Sequence, residues 1–380
     1  MTDWLDWPFF EPRHRKVAAL VEGWCADRPT DTHAADLDEQ CRALVKDLGQ
    51  AGLLNLCVAG DNGQPDVRSL AIARAALARH SGLADFAFAM QGLGSGAISL
   101  FGSAAQKADW LPKVAGGESI AAFALTEPAT GSDAASIAMR AERGADGWRL
   151  TGEKSYISNG TIADVLTVFA RTGSQDDGAR GISAFIVRGD DPGLSVAERI
   201  EVIAPHPLAR LRFDSSRADL LGAEGEGFKV AMQTLNLFRV TVGAAALGFA
   251  RRALDETLEF ACNRRLGDGV LADHPVTWDK LAGMTMAVDT SALLVARAAW
   301  EQDAGEGDNR GSAAMAKLSA TEEAQLVIDA AVQLHGGLGV TKGAKVEELY
   351  REIRALRIYE GASEVQRQII ARDLLREHRS

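Results

Sequence analysis

Between about residues 118 and 220 the hydrophobic pattern of this 380-residue chain changes period, and afterwards it changes back. Before that stretch, apolar residues recur at helical spacing: Val17, Leu20, Val21 and Trp24, then Leu37, Cys41, Leu44, Val45 and Leu48. Asp66 to His80 and Leu83 to Phe101 continue the pattern. Gly92, Gly94 and Gly96 weaken the second run as a helix, so they mark close packing or, second to it, a narrow ligand passage. Inside the stretch, Ala145-Asp146-Gly147 is a turn signal, and Trp148 to Gly152 follows it as a strand. Val165 to Ala170, Ile182 to Val187 and Leu211 to Phe213 are further strands, punctuated by Gly, Asp and Pro. After about residue 225, Leu235, Phe238, Val242, Ala245, Phe249, Leu254 and Leu258 form one apolar stripe on a long helix. Trp278 to Ala304, Ser312 to His335 and Glu364 to Glu377 supply its partners in a bundle. The order predicts an α+β fold with an N-terminal α-helical domain (1–117), a middle antiparallel β domain (118–222) closing as a small barrel, and a C-terminal four-helix bundle (223–380).

Composition narrows the partners. A formal net charge of −11 argues against nucleic acid and against an anionic membrane surface, though local Arg and Lys can still hold an anionic ligand. Cys25, Cys41, Cys57 and Cys262 form no Cys-x-x-Cys pair and have no His at ligand spacing, which predicts neither zinc nor disulfides. His335 beside Gly336-Gly337 lacks a second ligand at i+4 and reads as structural. The opening Met1-Thr2-Asp3-Trp4-Leu5-Asp6-Trp7 has neither the basic region nor the apolar run of a signal peptide. No uninterrupted apolar run of about 18 residues occurs, so a membrane-spanning helix is not expected. A cytoplasmic location is the expectation.

Near the C-terminus stands a carboxylate on a hinge, in the segment Leu356-Arg357-Ile358-Tyr359-Glu360-Gly361-Ala362-Ser363-Glu364-Val365-Gln366-Arg367. Gly361 frees the backbone to turn and leaves room for a ligand to approach the main chain. Taken alone, the segment has two readings: a helix-to-helix turn with a solvated Glu, or a base projected into a pocket.

Further segments carry a resemblance. Residues 123–133 read Phe-Ala-Leu-Thr-Glu-Pro-Ala-Thr-Gly-Ser-Asp, residues 154–160 read Lys-Ser-Tyr-Ile-Ser-Asn-Gly, and residues 333–340 read Gln-Leu-His-Gly-Gly-Leu-Gly-Val. In this order and at these separations, with the Tyr359-Glu360-Gly361 turn, they resemble the acyl-CoA dehydrogenase family from about residue 15 to about residue 376. The resemblance implies an acyl-CoA dehydrogenase-like fold, an FAD cofactor, and α,β-desaturation of an acyl-CoA. Electrons would pass to an electron-transferring flavoprotein, and the assembly would be a homotetramer or homodimer. Glu360 takes the place of the base, and its own N–H is one donor to the thioester oxygen. Some branched-chain and long-chain members carry the base on the long helix instead, but the corresponding position here is Phe238, next to Arg239.

By the same resemblance, Phe123, Leu125, Thr126, Gly131, Ser132, Tyr156 and Ser158 lie along the flavin ring and pyrophosphate. Tyr156 and Ser158 replace the usual Trp and Thr. Arg264, Gln333, Gly336 and Gly337 would meet FAD from a neighbouring subunit, and Ser363 the cofactor beside the base. Ser132, Asn236, Arg239 and Gly361 would touch the substrate.

The chain departs from the family pattern at Leu266 and Gly267, where an aromatic is usual, and at Ala362 and Glu364. Glu364 would repel a pyrophosphate unless it turns outward. Three alternatives stand beside this reading: a carrier-tethered acyl substrate, a flavin monooxygenase on the same fold, or a non-catalytic partner subunit that has lost FAD, to which the changes at Leu266, Gly267 and Ala362 point. The monooxygenase would have no use for Glu360.

Overall fold

The structure, a computed structural model, describes residues 3–28, 36–58, 63–305 and 309–379. Met1 and Thr2 of the opening segment lie outside the described residues; Trp4–Asp6 forms a 3-10 turn capped by Asp3. Helices α1 (Pro12–Ala26), α2 (Leu37–Gln50), α3 (Val67–His80), α4 (Gly82–Phe101) and α5 (Ala104–Ala115) precede the strands. Their starts follow from side-chain oxygens that satisfy free N–H groups: Asp36 caps α2, and Ser103 with Gln106 forms a capping box on α5. The glycine run in α4 is close packing. A Cβ on Gly92 or Gly96 would stand 2.7 or 2.5 Å from the ring of Phe238, and one on Gly94 would stand 2.7 Å from the Ala121 backbone.

Strands β1 (Ala121–Ala124), β2 (Arg140–Gly144), β3 (Gly147–Ser158), β4 (Val165–Arg171), β5 (Ile182–Arg188), β6 (Leu194–Ile200) and β7 (Leu208–Leu221) form one sheet. The pairings β4-β2-β3-β7-β5 return to β4, so the sheet closes on itself, and β6 adds to β7. Closure leaves fewer bare edges and wraps an interior that includes Leu150, Phe185, Leu211 and Phe213. Each such side chain contributes ~1.5–3 kcal/mol by its burial. The domain is not purely antiparallel, as the sequence suggested. β1 runs parallel to β4, because the β2–β3 hairpin lies between them in the chain and serves as the crossover. β6 gave no alternation to read, since its five central residues are all exposed.

Helices return with α6 (Gly227–Asn263), α7 (Pro275–Ala304), α8 (Arg310–His335), α9 (Lys345–Leu356) and α10 (Ser363–Arg379). Between α6 and α7, β8 (Arg265–Leu266) and β9 (Gly269–Val270) make a small hairpin over Gly267, whose φ of +61° favours glycine. α9 is a shorter helix beyond the predicted four; Val346, Leu349, Ile353 and Leu356 are its buried face. Leu258, the predicted end of the α6 stripe, is exposed. α6 and α7 each hold a window long and apolar enough, by length and composition, to cross a membrane. Neither helix holds an uninterrupted apolar run of that length, so the sequence carries no such signal. In α6, 78% of the window is buried, which marks a core helix; in α7 the share is 39%.

The chain packs as two units. One comprises Met1–Thr30, Val67–Asp85 and Arg239–Ser380; the other comprises Asp31–Asp66 and Phe86–Phe238. The division falls inside α4 and inside α6. In the first unit, Gly243 of α6 backs onto α8 closely enough that a Cβ would lie 3.0 Å from Ala316 O. In the second, a core of Ala97, Ile98, Trp110, Val114 and Phe169 joins α4 and α5 to the sheet.

Candidate active site

The chain between α9 and α10 is built to hold one residue in an uncommon conformation. α9 ends as the N–H groups of Ile358 and Tyr359 both donate to Ala355 O, at 2.9 and 3.0 Å. Glu360 then takes a φ of +51° and Gly361 a φ of +90°, before Ser363 N closes the turn on Arg357 O at 3.1 Å. A left-handed non-glycine residue costs about 1–3 kcal/mol and persists only where its surroundings impose it. Here the surroundings are explicit. Lys317 of α8 donates from Nζ to Tyr359 O at 3.1 Å and to Gly361 O at 2.7 Å. Gln366 of α10 donates from Nε2 to Gly361 O at 2.8 Å and to Glu360 O at 3.4 Å. Glu322 of α8 accepts from Ser363 Oγ and pairs with Arg357 at 2.6 Å.

A Cβ on Gly361 would lie 2.5 Å from Gln366 Nε2, in a backbone conformation that disfavours any side chain. Gly361→Ala is therefore expected to cost about 1–2 kcal/mol, read as a lower melting temperature.

The carboxyl of Glu360 stands among charges. The residue is half-buried, but its Oε2 is fully covered and accepts no hydrogen bond. Burial raises its pKa above the ordinary 4.5; the cations Arg74, Lys317 and Arg239 oppose the rise, and Asp85 adds to it. The carboxyl is thus both buried and set among cations. Arg74 of α3 is buried and forks onto Asp85, Nε to Oδ1 at 2.9 Å and Nη2 to Oδ2 at 2.7 Å, while Nη1 reaches Thr241 Oγ1 at 3.2 Å. Arg239, expected at the substrate's CoA part, is buried and lies in the field of Glu360 and Arg310.

The second unit carries the other set. Phe123 and Leu125 lie against the core beside β4, with the Phe123 and Phe169 rings 4.9 Å apart. After them, buried Glu127 pairs with Lys154 at 2.8 Å and accepts from Ala138 N and Met139 N. Lys154 also donates to Leu125 O at 2.9 Å, and Ser155 N to Thr126 O. This network ties the Thr126–Ser132 loop to β3 and leaves Gly131 and Ser132 exposed, with open space around Gly131. Arg171 anchors the segments that follow the loop and β4, donating to the carbonyls of Ala135, Ile137, Ser174 and Gly178. In β3, a bulge between Lys154 and Ile157 gives Tyr156 a φ of +56° and presents it 62% exposed. Bulges of this kind re-aim side chains next to binding sites. Ser158 is half-buried; buried Asn159 donates to Ala121 O at 3.0 Å. Asn236 is half-buried on α6, three residues before Arg239.

Of the residues expected at a neighbour's cofactor, Arg264 lines a concavity of about 480 Å³ with Glu256, Phe260, His335 and Lys345. His335 stacks on Phe260 at 4.3 Å, the structural role its sequence context suggested. Gln333, Gly336 and Gly337 are exposed at the end of α8. The hydroxyl of Ser363, expected at the cofactor, is engaged by Glu322 at 2.5 Å, and Glu364 is exposed. Sequence reasoning missed Arg74, Asp85, Lys317 and Gln366. The available signal was a lone charge inside an alanine-rich helix, Ile72-Ala73-Arg74-Ala75 and Ala316-Lys317-Leu318.

Comparison with known proteins places the whole chain. Residues 11–118, 122–216 and 225–375 match the family models for the acyl-CoA dehydrogenase N-terminal, middle and C-terminal domains. The chain is 33% identical to the 3-(aryl)acrylate reductase of Clostridium sporogenes, across 97% of this chain and 100% of that protein. Butyryl-CoA dehydrogenase from Megasphaera elsdenii has a similar structure, with a TM-score of 0.89 and 30% identity over 96% of this chain and 99% of that one. So does a glutaryl-CoA dehydrogenase from Mycobacterium smegmatis in complex with FADH2, with a TM-score of 0.85 and 29% identity over 96% and 95%.

Proposed function

This chain belongs to the acyl-CoA dehydrogenase family, an oxidoreductase acting on CH–CH bonds, and on that premise we propose that Glu360 is the base of an acyl-CoA desaturation. The observation that carries the reading is a buried, unpartnered carboxyl oxygen on a strained turn held from two helices. The hydrogen on the α carbon of a thioester is only weakly acidic, so its base needs a pKa moved toward the working pH. Burial does that for Glu360, and the surrounding cations keep the carboxylate ionised enough to accept the proton. The Glu360 N–H is the proposed donor to the thioester oxygen, where charge develops.

The residues of the second unit fit FAD. An exposed aromatic on a bulge, a loop open at Gly131 and a half-buried hydroxyl at Ser158 offer a ring face, a backbone approach and a polar contact. Phe123, Leu125, Thr126, Gly131, Ser132, Tyr156 and Ser158 would hold it, with Arg264, Gln333, Gly336 and Gly337 contributed by a neighbouring copy in a homotetramer or homodimer. When bound, FAD supplies the acceptor for the hydride that leaves the β carbon. Ser132, Asn236 and Gly361 remain as contacts for the thioester arm. Arg239 is proposed as a further substrate contact, and its charge also acts on Glu360. The electrons then pass to an electron-transferring flavoprotein, in a cytoplasmic setting.

The test is anaerobic mixing of the FAD-loaded protein with short, branched, long and aryl acyl-CoAs, and with the same acyl groups on a carrier protein. Bleaching of the flavin band by a free acyl-CoA is expected. Bleaching only by carrier-tethered substrates would replace the CoA reading with the carrier one.

A further inference from the structure

Lys317 is fully buried, and its neighbours one turn away on α8, Ala313, Ala314, Ala320 and Thr321, are buried too. A buried ammonium is costly, and an aliphatic side chain would fill the same space without that cost. Among the described residues no carboxylate ion-pairs with Lys317. Its two hydrogen bonds go to the carbonyls on either side of Glu360. We propose that Lys317 is the positioning residue of the Glu360 base: it grips the flanking carbonyls, imposes the left-handed turn, and places a positive charge beneath the carboxylate. The inference rests on the reading of Glu360 as the base and assigns that base its support.

The geometry gives Lys317 two separable effects. The first is mechanical. Tyr359 O and Gly361 O are held by one ammonium, so the residue between them is clamped at both ends, and Gln366 alone holds only the far side. The second is electrostatic. Glu360 faces Arg74 from α3, Asp85 from α4, Arg239 from α6 and Lys317 from α8. Lys317 in turn faces Arg239, Glu322 and Glu364 besides Glu360. Burial pushes its own pKa down to about 8, so at neutral pH it is charged and within reach of titration. Without that charge the carboxylate is less favoured, and Glu360 titrates at a higher pH.

The experiment compares Lys317→Met, Lys317→Gln and Glu360→Gln with the wild type. Two properties are read for each: the anaerobic rate of flavin bleaching by an acyl-CoA, and the pH titration of the carboxylic C=O infrared band that Glu360→Gln abolishes. Lys317→Met loses clamp and charge, so bleaching slows by about 100-fold or more. Lys317→Gln can still donate to a carbonyl and recovers about tenfold of that loss. In both, the Glu360 titration moves up by about one pH unit, because both lack the charge. A wild-type rate and an unmoved titration in Lys317→Met, with Glu360→Gln inert, would overturn the proposal and leave the base in place. If Glu360→Gln bleaches like wild type, the base reading itself falls and takes this proposal with it. Should the Met variant fail to fold, the Gln variant decides, and an unmoved Glu360 titration overturns the role.

Discussion

Glu360→Gln is expected to slow flavin reduction by an acyl-CoA by about 10³-fold or more while the protein keeps its FAD, since a positioned base contributes about 10²–10⁴. The amide fills the same volume on the same turn but cannot take the proton. The carbonyl clamps of Lys317 and Gln366 are untouched, but buried Lys317 and Arg239 lose a neighbouring anion, so stability should hold or fall modestly. The wild-type pH profile supplies the companion result. A carboxyl whose pKa is raised above 4.5 is ionised only above that raised value, so kcat/KM falls as pH falls through it. Rapid mixing over a pH series reads both effects. A limb at the ordinary carboxylate value would mean that burial does not control the base.

Arg74→Met carries the second large effect, and here it falls on stability. Its guanidinium fork is the partner of Asp85 deep in the first unit, and each side chain is at most 5% exposed. Removing the cation leaves a buried carboxylate uncompensated, at a cost of about 3–5 kcal/mol in chemical denaturation. Replacing both partners, Arg74→Met with Asp85→Leu, should restore most of that loss, because a buried pair exchanged for apolar groups is often neutral. Equal destabilisation by the single and double variants would show that the pair is not what holds this region. Arg74 is also the strongest cation acting on Glu360, so the single variant should raise the pH at which activity appears. Its expected signature is thus a lower melting point together with an upward-shifted limb.

What could be read ahead of the structure follows from what each signal encodes. The period changes near 118 and 220 are local, and they locate the sheet and the helical parts. The Tyr359-Glu360-Gly361 turn is legible because a left-handed pair of residues leaves a glycine in the sequence. β1 is too short, and β6 too exposed, to show a period. α9 shows helical spacing in Val346, Leu349, Ile353 and Leu356, but at 12 residues it gives a weaker signal than the long helices of the bundle.

The cations around Glu360 are a different matter. Arg74 and Lys317 come from helices far from Glu360 in the chain, and no short-range spacing links them to it. Their only trace is a charge set among alanines. The same holds for Lys154 and Arg171, which anchor the Thr126–Ser132 loop and the segment after it, respectively, from strands whose alternation reports burial but not partners. The cost of burying such groups is visible in sequence, whereas the carbonyls and carboxylates that compensate them are known only once the chain is folded.

Removal of the α proton by Glu360 can be isolated with an acyl-CoA bearing sulfur at the β position, which has no β hydrogen to give up. The FAD-loaded protein is incubated with this thioester in D2O, and mass spectrometry follows deuterium entering the α position. The predicted result is rapid exchange by the wild type, faster as pH rises through the raised pKa of Glu360, and none above background in Glu360→Gln. Exchange at the wild-type rate in Glu360→Gln would contradict the account.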